Sequence, residues 1–495
     1  MLIRQIELKR QKRYVALLMV ACISLGYYVV TRSFAAGPLA AFEAEAGALG
    51  NGASSVIIAG ASGSGVVKFG VAASPTPTPG GSLSLSRIPW EGGPAYWGQF
   101  SKTNAAGWTD PNFFPISVFL SKGDTGHVAS LKDAGINLYM GIEHDFVSSL
   151  TNITNGGLFA MPQQDEWTST EVGTNPKAVA WFSSDECDMG YGGCSGTEQQ
   201  QLATQTSFVN KVKAYNDGRF VHANFGNGIL RTFWSPTTMN QQVQLMDSAS
   251  ADKYTYTSPD VASIIDGVHD APDWPNGVPV PRSYSYGWQA DQMKRFQSPA
   301  SPRPIWTFVE TAMPYIGEAG ARTILPEQME GAVWSAIIHE ARGIAYFQHN
   351  NGTGTCSANY SIVDCPAVHA KVKAVDADVR ALAPVLNTQS YYNTTREVNG
   401  FTYYQYSFNN ATDAMLKTYN GSAYIFAALG MHCATSTCAS GSADPIGMKS
   451  FTLPAGVSGT TVTVVGENRT IQVQNGAFSD NFAAEYSHHV YQISL

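Results

Sequence analysis

Charged residues are scarce in this sequence. Asp, Glu, Lys and Arg make up 14% of its 495 residues, and the formal net charge is −8. Beyond the N-terminal residues no basic patch stands out. Because contacts to phosphate groups require clustered Lys and Arg, we expect no nucleic-acid partner.

Several motifs that announce other chemistries are also missing. The chain has no GxSxG elbow, no HExxH pair and no P-loop, which disfavours a serine esterase, a zinc peptidase and a nucleotide-binding enzyme. It contains no CxxC-type cluster of zinc ligands either. We therefore expect neither a metal site nor an organic cofactor.

Cysteine is uncommon, with seven residues in the chain. Cys22 lies in the N-terminal apolar stretch. The other six form close pairs along the sequence, namely Cys187/Cys194, Cys356/Cys365 and Cys433/Cys438. This spacing predicts three small disulfide-closed loops in an oxidising compartment.

The N-terminus has the pattern of an export signal. A basic segment precedes the apolar run Tyr14–Val30, and Ser33-Phe34-Ala35 offers small residues for cleavage. We favour removal of residues 1–35 after Ala35, with a retained signal anchor as the alternative. The protein is then expected outside the cell or at its surface. Membrane contact would come only through that anchor, and we expect a monomer.

Residues 36–70 and 71–83 differ in character from the rest. The segment 42–70 resembles the opening of β-sandwich carbohydrate-binding modules that begin with an EAE-type strand, but it is too short to bury a core of its own. Residues 71–83 alternate Pro, Thr and Gly, which is typical of a semi-stiff linker.

Residues 84–386 predict a (β/α)8 barrel, because eight apolar strand candidates mostly alternate with helical patterns. The candidates are Phe114–Phe119, Ile136–Ile142, Gly157–Met161, Ala178–Ser183, Phe220–Ala223, Ala251–Tyr256, Pro304–Val309 and Arg342–Phe347. The long gap Thr257–Arg303 predicts a loop that walls one side of the barrel mouth.

Residues 387–495 change to alternating strands and short turns, which predicts an antiparallel β-sandwich. Met415–Tyr419 and Ser422–Ala427, joined by Asn420-Gly421, form the clearest hairpin.

Two glutamates end predicted barrel strands. Glu186 follows strand four and Glu310 follows strand seven. Parallel barrel strands deliver their carboxyl ends to one mouth, where two rigidly held carboxyl groups could cleave a glycosidic bond. Either residue could instead be a solvated loop acid or part of an ion pair.

These stretches resemble the large clan of retaining (β/α)8 glycoside hydrolases. Trp181 through Asp185-Glu186-Cys187 is similar to the W-x-x-x-DEP of several members, and Phe113-Phe114-Pro115-Ile116 is similar to their FFPIG-type first strand. The C-terminal NGAFSDNFAAEYSHHVYQI resembles the closing strands of their sandwich domains. The resemblance implies that Glu186 is the acid/base and Glu310 the nucleophile.

The chain departs from the clan next to the acid/base. Asp185 stands where the clan often has Asn, so Asp185 remains an alternative proton donor, and Cys187 replaces the usual Pro. Other strand ends and connecting segments supply candidate substrate-binding residues. These candidates are His144, Asn224, Tyr256, Trp288 and His349. The clan commonly has a Tyr bonded to the nucleophile near strand six, which is the reason for choosing Tyr256.

The sequence thus predicts a secreted glycoside hydrolase that cleaves O-glycosidic bonds of a poly- or oligosaccharide by double displacement. Two alternatives share most of these features. A non-catalytic surface carbohydrate-binding protein could be built on a degenerate barrel, and a transglycosylase would use the same residues.

Overall fold

A computed structural model describes most of this chain. The described ranges are 53–57, 65–69, 82–146, 148–228, 234–261, 280–297, 301–352, 356–398, 401–430 and 446–495. The chain divides into two compact units, Met1–Thr78 and Pro79–Leu495. In the first unit, strands Ala53–Ile57 and Gly65–Phe69 pair antiparallel. The predicted signal segment and nearly all of the predicted linker lie outside the described residues.

Eight parallel strands form the centre of the second unit. They are β1 (Ile116–Phe119), β2 (Leu138–Ile142), β3 (Phe159–Pro162), β4 (Ala180–Asp185), β5 (Phe220–Phe225), β6 (Ser248–Ala251), β7 (Ile305–Glu310) and β8 (Ile344–Phe347). The sheet order is β3-β2-β1-β8-β7-β6-β5-β4. Isolated parallel bridges between Ala160 and Ala178 and between Gln163 and Phe182 join the two edges. The predicted (β/α)8 barrel is therefore confirmed.

Helices alternate with these strands. Their bounds are α1 (Ser101–Ala105), α2 (Thr125–Ala134), α3 (Ser149–Asn155), α4 (Ser169–Val172), α5 (Glu198–Lys213), α6 (Pro236–Leu245), α7 (Tyr284–Lys294), α8 (Pro326–Ile338), α9 (Ser361–Asp364) and α10 (Pro366–Leu386). Thr197 and Gln200 form a capping box at the start of α5. Gly135 ends α2 in a left-handed conformation with φ 108°.

Aromatic side chains fill the barrel interior. Alternate residues of each strand point inward, so Phe182 of β4 and Phe308 of β7 both meet Phe119 of β1, at ring distances of 5.4 and 5.3 Å. Trp306, two residues before Phe308, is fully buried in the same cluster. By this alternation Glu310 also points inward, above an apolar floor.

The sixth strand differs from its prediction. It was expected at Ala251–Tyr256, but β6 runs from Ser248 to Ala251, and Tyr254 and Tyr256 lie in the turn that follows. Small residues suit this strand because the buried ring of His222 bonds to Ser248 and Ser250 at 3.1 and 3.0 Å. The sequence Ser-Ala-Ser-Ala carries little hydrophobic signal. The more hydrophobic tyrosines that follow it therefore shifted the predicted strand beyond its true position.

An antiparallel β-sandwich follows the barrel, as predicted. Its strands are β9 (Tyr391–Tyr392), β10 (Thr394–Val398), β11 (Phe401–Gln405), β12 (Thr412–Tyr419), β13 (Ser422–Leu429), β14 (Gly447–Thr452), β15 (Thr461–Val464), β16 (Arg469–Gln472), β17 (Ala477–Phe482) and β18 (His488–Ser494). One sheet has the order β16-β15-β18-β13-β12-β9 and ends at the short strand Ser86–Arg87. The β14–β17 pair covers it, with Phe451 and Phe478 packed against Tyr491.

The predicted hairpin is confirmed in β12 and β13. Asn420 and Gly421 take φ angles of 47° and 74°, the left-handed pair that a two-residue hairpin turn requires.

Two of the three predicted disulfides are present, joining Cys187 to Cys194 and Cys356 to Cys365. Cys433 and Cys438 lie outside the described residues. Among the residues that the structure describes, no helix combines the length and apolar character needed to span a bilayer.

Candidate active site

The end of β4 presents Asp185 and Glu186 at the barrel mouth. Asp185 is the last residue of the strand, and Glu186 adopts a left-handed conformation with φ 46° and ψ 41°. The Glu186 N–H donates to the Asn224 carbonyl oxygen at 3.0 Å. The disulfide between Cys187 and Cys194 closes the loop directly afterwards. An uncommon backbone conformation in a cross-linked loop thus fixes the direction of the Glu186 side chain.

Glu310 ends β7 and is completely buried. Its Oε2 accepts a hydrogen bond from the Tyr286 hydroxyl at 2.6 Å, and its Oε1 accepts one from Thr257 Oγ1 at 3.1 Å. Burial raises the pKa of Glu310 to about 7, and the hydrogen bonds from Tyr286 and Thr257 oppose that rise. The carboxyl group is held rigidly and is ready to ionise near neutral pH.

Three further carboxyl groups surround Glu186. Burial raises the pKa of Glu186 far above its usual range, and the negative charges of Asp252, Asp185 and Asp188 raise it further. Asp252 and Glu186 also share a side-chain hydrogen bond. At neutral pH Glu186 therefore holds a proton that it shares with Asp252.

Asn224, predicted from the sequence, lies within this carboxylate cluster. Its Nδ2 donates to Asp185 Oδ1 at 2.9 Å, and the same side chain lowers the pKa of Asp252 against the rise caused by burial. Ser250 Oγ donates to Asn224 Oδ1 at 2.8 Å, which fixes the orientation of the amide. Asn224 thus couples the ends of β4, β5 and β6.

Tyr315 lies near both Glu310 and the carboxyl groups around Glu186. The negative charges of Glu310 and Asp252 both raise the pKa of its phenol, and its ring lies 6.4 Å from that of Tyr254. Tyr254 in turn is affected by the charges of Asp252, Asp185 and Glu186. Glu186 and Asp252 directly follow the parallel strands β4 and β6, and Glu310 ends β7, so the three carboxyl groups lie at the same end of the barrel.

The predicted role of Tyr256 requires correction. Its hydroxyl donates to Glu485 Oε1 at 2.5 Å, not to Glu310. The hydroxyl on Glu310 belongs to Tyr286, on helix α7. The sequence gives no signal for Tyr286, because the gap 257–303 predicts a loop and not a helix.

Trp288 requires correction as well. It is 1% exposed and packs in the hydrophobic core on α7, so it cannot stack against a substrate. Trp288 lies outside the predicted strands, which suggested an exposed ring. In the structure it lies on α7, which is buried along most of its length.

The two predicted histidines lie at the rim of the mouth. The His144 ring lies tilted against Trp167 with the ring centres 4.2 Å apart, and its Nε2 contacts Glu171 at 3.2 Å. His349 bonds through Nε2 to the Leu120 carbonyl oxygen at 2.6 Å and lines a cavity of about 270 Å³. The cavity is lined by Leu120, Ser121, Lys122, Asp124, Glu143, Asp145, Phe146, His349 and Tyr360.

Asp252 is the other residue that the sequence did not reveal. It directly follows β6, so its carboxyl group reaches the mouth. The misplaced sixth strand put Asp252 inside a strand and hid its position at a strand end. Within the described ranges, no three His, Cys, Asp or Glu side chains are grouped so that they could hold a metal ion.

Comparison with known proteins gives matches in structure alone. No protein-family model matches the chain, and no curated protein matches it. Similar solved structures include a glycoside hydrolase (9% identity, covering 77% of this chain and 93% of that one, TM-score 0.45). Others are a family 5 glycoside hydrolase from Bacteroides vulgatus (9%, 77% and 89%, 0.45) and a family 42 β-galactosidase from G. stearothermophilus (8%, 78% and 98%, 0.47). At these identities and TM-scores, any functional argument must rest on the chain's own residues.

Proposed function

We propose that this protein is a glycoside hydrolase that cleaves O-glycosidic bonds of a poly- or oligosaccharide with retention of configuration. The observation that carries the proposal is the difference between two glutamates at one barrel mouth. Glu186 holds a proton among like charges, whereas Glu310 receives hydrogen bonds from Tyr286 and Thr257. One carboxyl group is suited to give a proton and the other to attack as an anion.

In the first step, Glu310 attacks the anomeric carbon while the Glu186 proton passes to the leaving oxygen. This forms a glycosyl ester on Glu310 and releases the leaving sugar as an alcohol. In the second step, Glu186 takes a proton from water, and the resulting hydroxyl oxygen displaces the Glu310 carboxylate. We assign Asp185 to positioning, because it is bonded to Asn224 beside Glu186.

Substrate contacts are assigned to residues that line the mouth. Asn224 donates a hydrogen bond to Asp185 beside Glu186, and His349 lines a cavity of about 270 Å³ together with Tyr360. We propose His349 as a substrate contact there, and His144 as a contact at the outer rim.

The test is covalent labelling of the full chain. Incubation with a panel of activated 2-deoxy-2-fluoro glycosides should add one sugar mass to the peptide that contains Glu310. Glu310→Gln should abolish both this adduct and turnover of the matching aryl glycosides. Glu327→Gln, the same change at an exposed position on α8, should leave both intact.

The role of Glu186 has a separate signature. Glu186→Ala should lose at least 100-fold in kcat on substrates with poor leaving groups, since general acid catalysis contributes about 10²–10⁴-fold. Added azide should restore turnover and yield a glycosyl azide of retained configuration. If sugars bind but no adduct forms, the protein is the non-catalytic carbohydrate-binding alternative. Full activity of Glu310→Gln would end the enzymatic proposal.

We also propose that the protein is exported. Disulfides persist in oxidising compartments, and one of the two observed bonds closes the loop that directly follows Glu186. Expression of the full chain in a bacterial host should place it in the medium or on the cell surface. N-terminal sequencing would separate a cleaved signal, with a mature chain starting at Ala36, from a retained anchor.

A further inference from the structure

Glu485 connects the C-terminal sandwich with the residues that contact the candidate nucleophile. It lies in the loop between β17 and β18, about 175 residues beyond Glu310 in the chain. Its Oε1 accepts the Tyr256 hydroxyl at 2.5 Å, and its Oε2 accepts the Ser283 N–H at 3.0 Å. Ser283 Oγ returns a hydrogen bond to the Glu485 carbonyl oxygen at 2.9 Å.

Both hydrogen-bond partners of Glu485 are linked to Glu310 through Tyr286. Ser283 is the N-cap residue of α7, and Tyr286 in the first turn of that helix donates to Glu310. Tyr256 stacks on Tyr286 at 5.7 Å, and its backbone N–H donates to the Tyr286 hydroxyl oxygen at 3.3 Å. Because a carboxylate at a helix N-terminus also satisfies the helix dipole, Glu485 fixes the start of α7.

The other end of α7 is also attached to the sandwich. Asp291, near the end of α7, bonds to His339 Nδ1 at 2.8 Å, and His339 Nε2 bonds to Asp413 of β12 at 3.1 Å. Between these attachments α7 packs closely on the end of α8, because a Cβ at Gly287 would lie 2.3 Å from the His339 ring. The helix that carries Tyr286 is therefore held at both ends through residues of the sandwich.

We infer that Glu485 is a positioning residue for the nucleophile and that the sandwich is part of the catalytic apparatus, an inference that rests on the proposed function. Glu485 sets Tyr286 through Ser283 and Tyr256, and Tyr286 sets the direction and ionisation of Glu310. Without Glu485, the start of α7 and the turn after β6 lose a shared anchor. The Tyr286 hydroxyl would then be hydrogen-bonded to Glu310 for a smaller fraction of the time.

This placement predicts a catalytic effect that a purely structural contact would not produce. Glu485→Ala should lower kcat about 10-fold with little change in KM, because the chemical step and not substrate binding depends on Glu310. The acid limb of the kcat/KM profile should move to higher pH, since the Tyr286 hydrogen bond favours ionised Glu310. Tyr286→Phe should cause the same changes with a larger magnitude. Glu485→Gln, which keeps an acceptor oxygen, should fall between wild type and Glu485→Ala.

The matched control is Glu330→Ala. Glu330 of α8 bonds to Lys371 at 2.7 Å and approaches His488 of the sandwich at 3.9 Å, so it also lies at the barrel–sandwich interface. It contacts neither Ser283 nor Tyr256 in the described part of the chain. The unfolding temperatures of Glu330→Ala and Glu485→Ala are measured side by side, and Glu330→Ala should keep the pH profile of wild type.

Two readouts do not depend on turnover. Hydrogen exchange followed by mass spectrometry should speed up in peptides covering 282–295 in Glu485→Ala but not in Glu330→Ala. Carbon-13 NMR of labelled glutamate, assigned by Glu310→Gln, should show Glu310 titrating at higher pH in Glu485→Ala. The charged and titratable groups that face Glu310 are Tyr286 from α7 and Tyr256 and Tyr315 from the adjoining loops.

These readouts separate failure of the inference from failure of the proposed function. A wild-type chain that turns over no glycoside and forms no adduct would refute the proposed function. The hydrogen-exchange and NMR titration data would still test whether Glu485 positions Tyr286 and Glu310. If Glu485→Ala matches wild type or Glu330→Ala in kcat, acid limb, exchange and Glu310 titration, the inference is overturned.

Discussion

Glu186 and Glu310 carry identical side chains in different electrostatic surroundings. Glu310 meets hydroxyl donors, which favour its anion, whereas Glu186 meets Asp252, Asp185 and Asp188, which favour its protonated form. Both carboxyl groups are buried, so small changes in their neighbours move their proton affinity strongly. The different roles that we propose for the two glutamates thus depend on side chains that are distant in sequence.

Asp252 provides a test of this division. Asp252→Asn removes a negative charge from the group that shares the Glu186 proton, so the pKa of Glu186 should fall. The alkaline limb of the kcat/KM profile, which reports loss of that proton, should therefore move by about one unit to lower pH. Asp185, Asp188 and Lys253 also face Glu186 and are left unchanged.

The measurement is kcat/KM from pH 5 to 11 on the aryl glycoside that is turned over fastest. Asp165→Asn, at an exposed position, serves as the control and should reproduce the wild-type limb. An unmoved alkaline limb in Asp252→Asn would show that Asp252 does not set the proton affinity of Glu186.

At the level of elements, the segment after β4 has to hold an unusual conformation. Glu186 stands at φ 46°, and the turn of Cys187–Met189 follows immediately. The bond from Cys187 to Cys194 spans seven positions in sequence and closes this turn against α5, where the Gln201 carbonyl oxygen lies 3.6 Å from Cys187 Sγ. A short covalent loop takes the place of the proline that the related motif has after the glutamate.

Replacing both Cys187 and Cys194 by Ala should therefore affect stability and catalysis together. Loss of the cross-link should cost about 2.5 kcal/mol in free energy of unfolding by the loop-entropy relation. Freedom of the Glu186 turn should lower kcat several-fold. Urea unfolding and steady-state kinetics measure the two effects.

The second disulfide supplies the comparison. Cys356 and Cys365 are nine positions apart, so replacing both by Ala should cost a similar free energy of unfolding. Because that loop carries neither glutamate, kcat should change less. Equal losses of kcat in both double variants would argue against a special role for the Glu186 turn.

At the scale of the molecule, the barrel and the sandwich belong to one compact unit, Pro79–Leu495, and polar groups join them. The strand Ser86–Arg87, which precedes the barrel, pairs with β9 of the sandwich. The buried His339 bonds to Asp291 and Asp413, and these carboxylates raise its pKa to about 9 despite burial. The interface therefore contains a histidine that is charged at neutral pH.

This interface predicts a pH-dependent stability. Since the folded pKa of His339 lies above its unfolded value near 6.5, its contribution is complete below about pH 6.5 and disappears as pH rises through 9. The unfolding temperature of His339→Gln should lie furthest below that of wild type at pH 6 and close to it at pH 9.5. Asp291, Asp413 and Lys294 face this histidine and remain in place.

Thermal unfolding from pH 5.5 to 9.5 measures this difference between the two proteins. The comparison with wild type cancels the pH-dependent contributions of other groups to stability. One such group is the buried Lys417, whose pKa is lowered to about 7 by burial. A difference in unfolding temperature that stays constant across this range would contradict the prediction.

The sequence by itself determined the framework. Continuous apolar runs predicted buried parallel strands, Asn420-Gly421 predicted the hairpin, and strand-end positions selected Glu186 and Glu310. These features are local, because hydrophobic periodicity and turn chemistry are written in a few neighbouring residues.

Only the tertiary structure decided what surrounds the two glutamates. Tyr286 lies on a helix that the sequence did not predict, Asp252 follows a strand made of small residues, and Glu485 comes from the second half of the fold. Their partners are set by packing between elements far apart in the chain, and a linear pattern carries no signal for such contacts. The two glutamates could be found from sequence, but the acid/base and nucleophile roles that we propose for them rest on the surrounding fold.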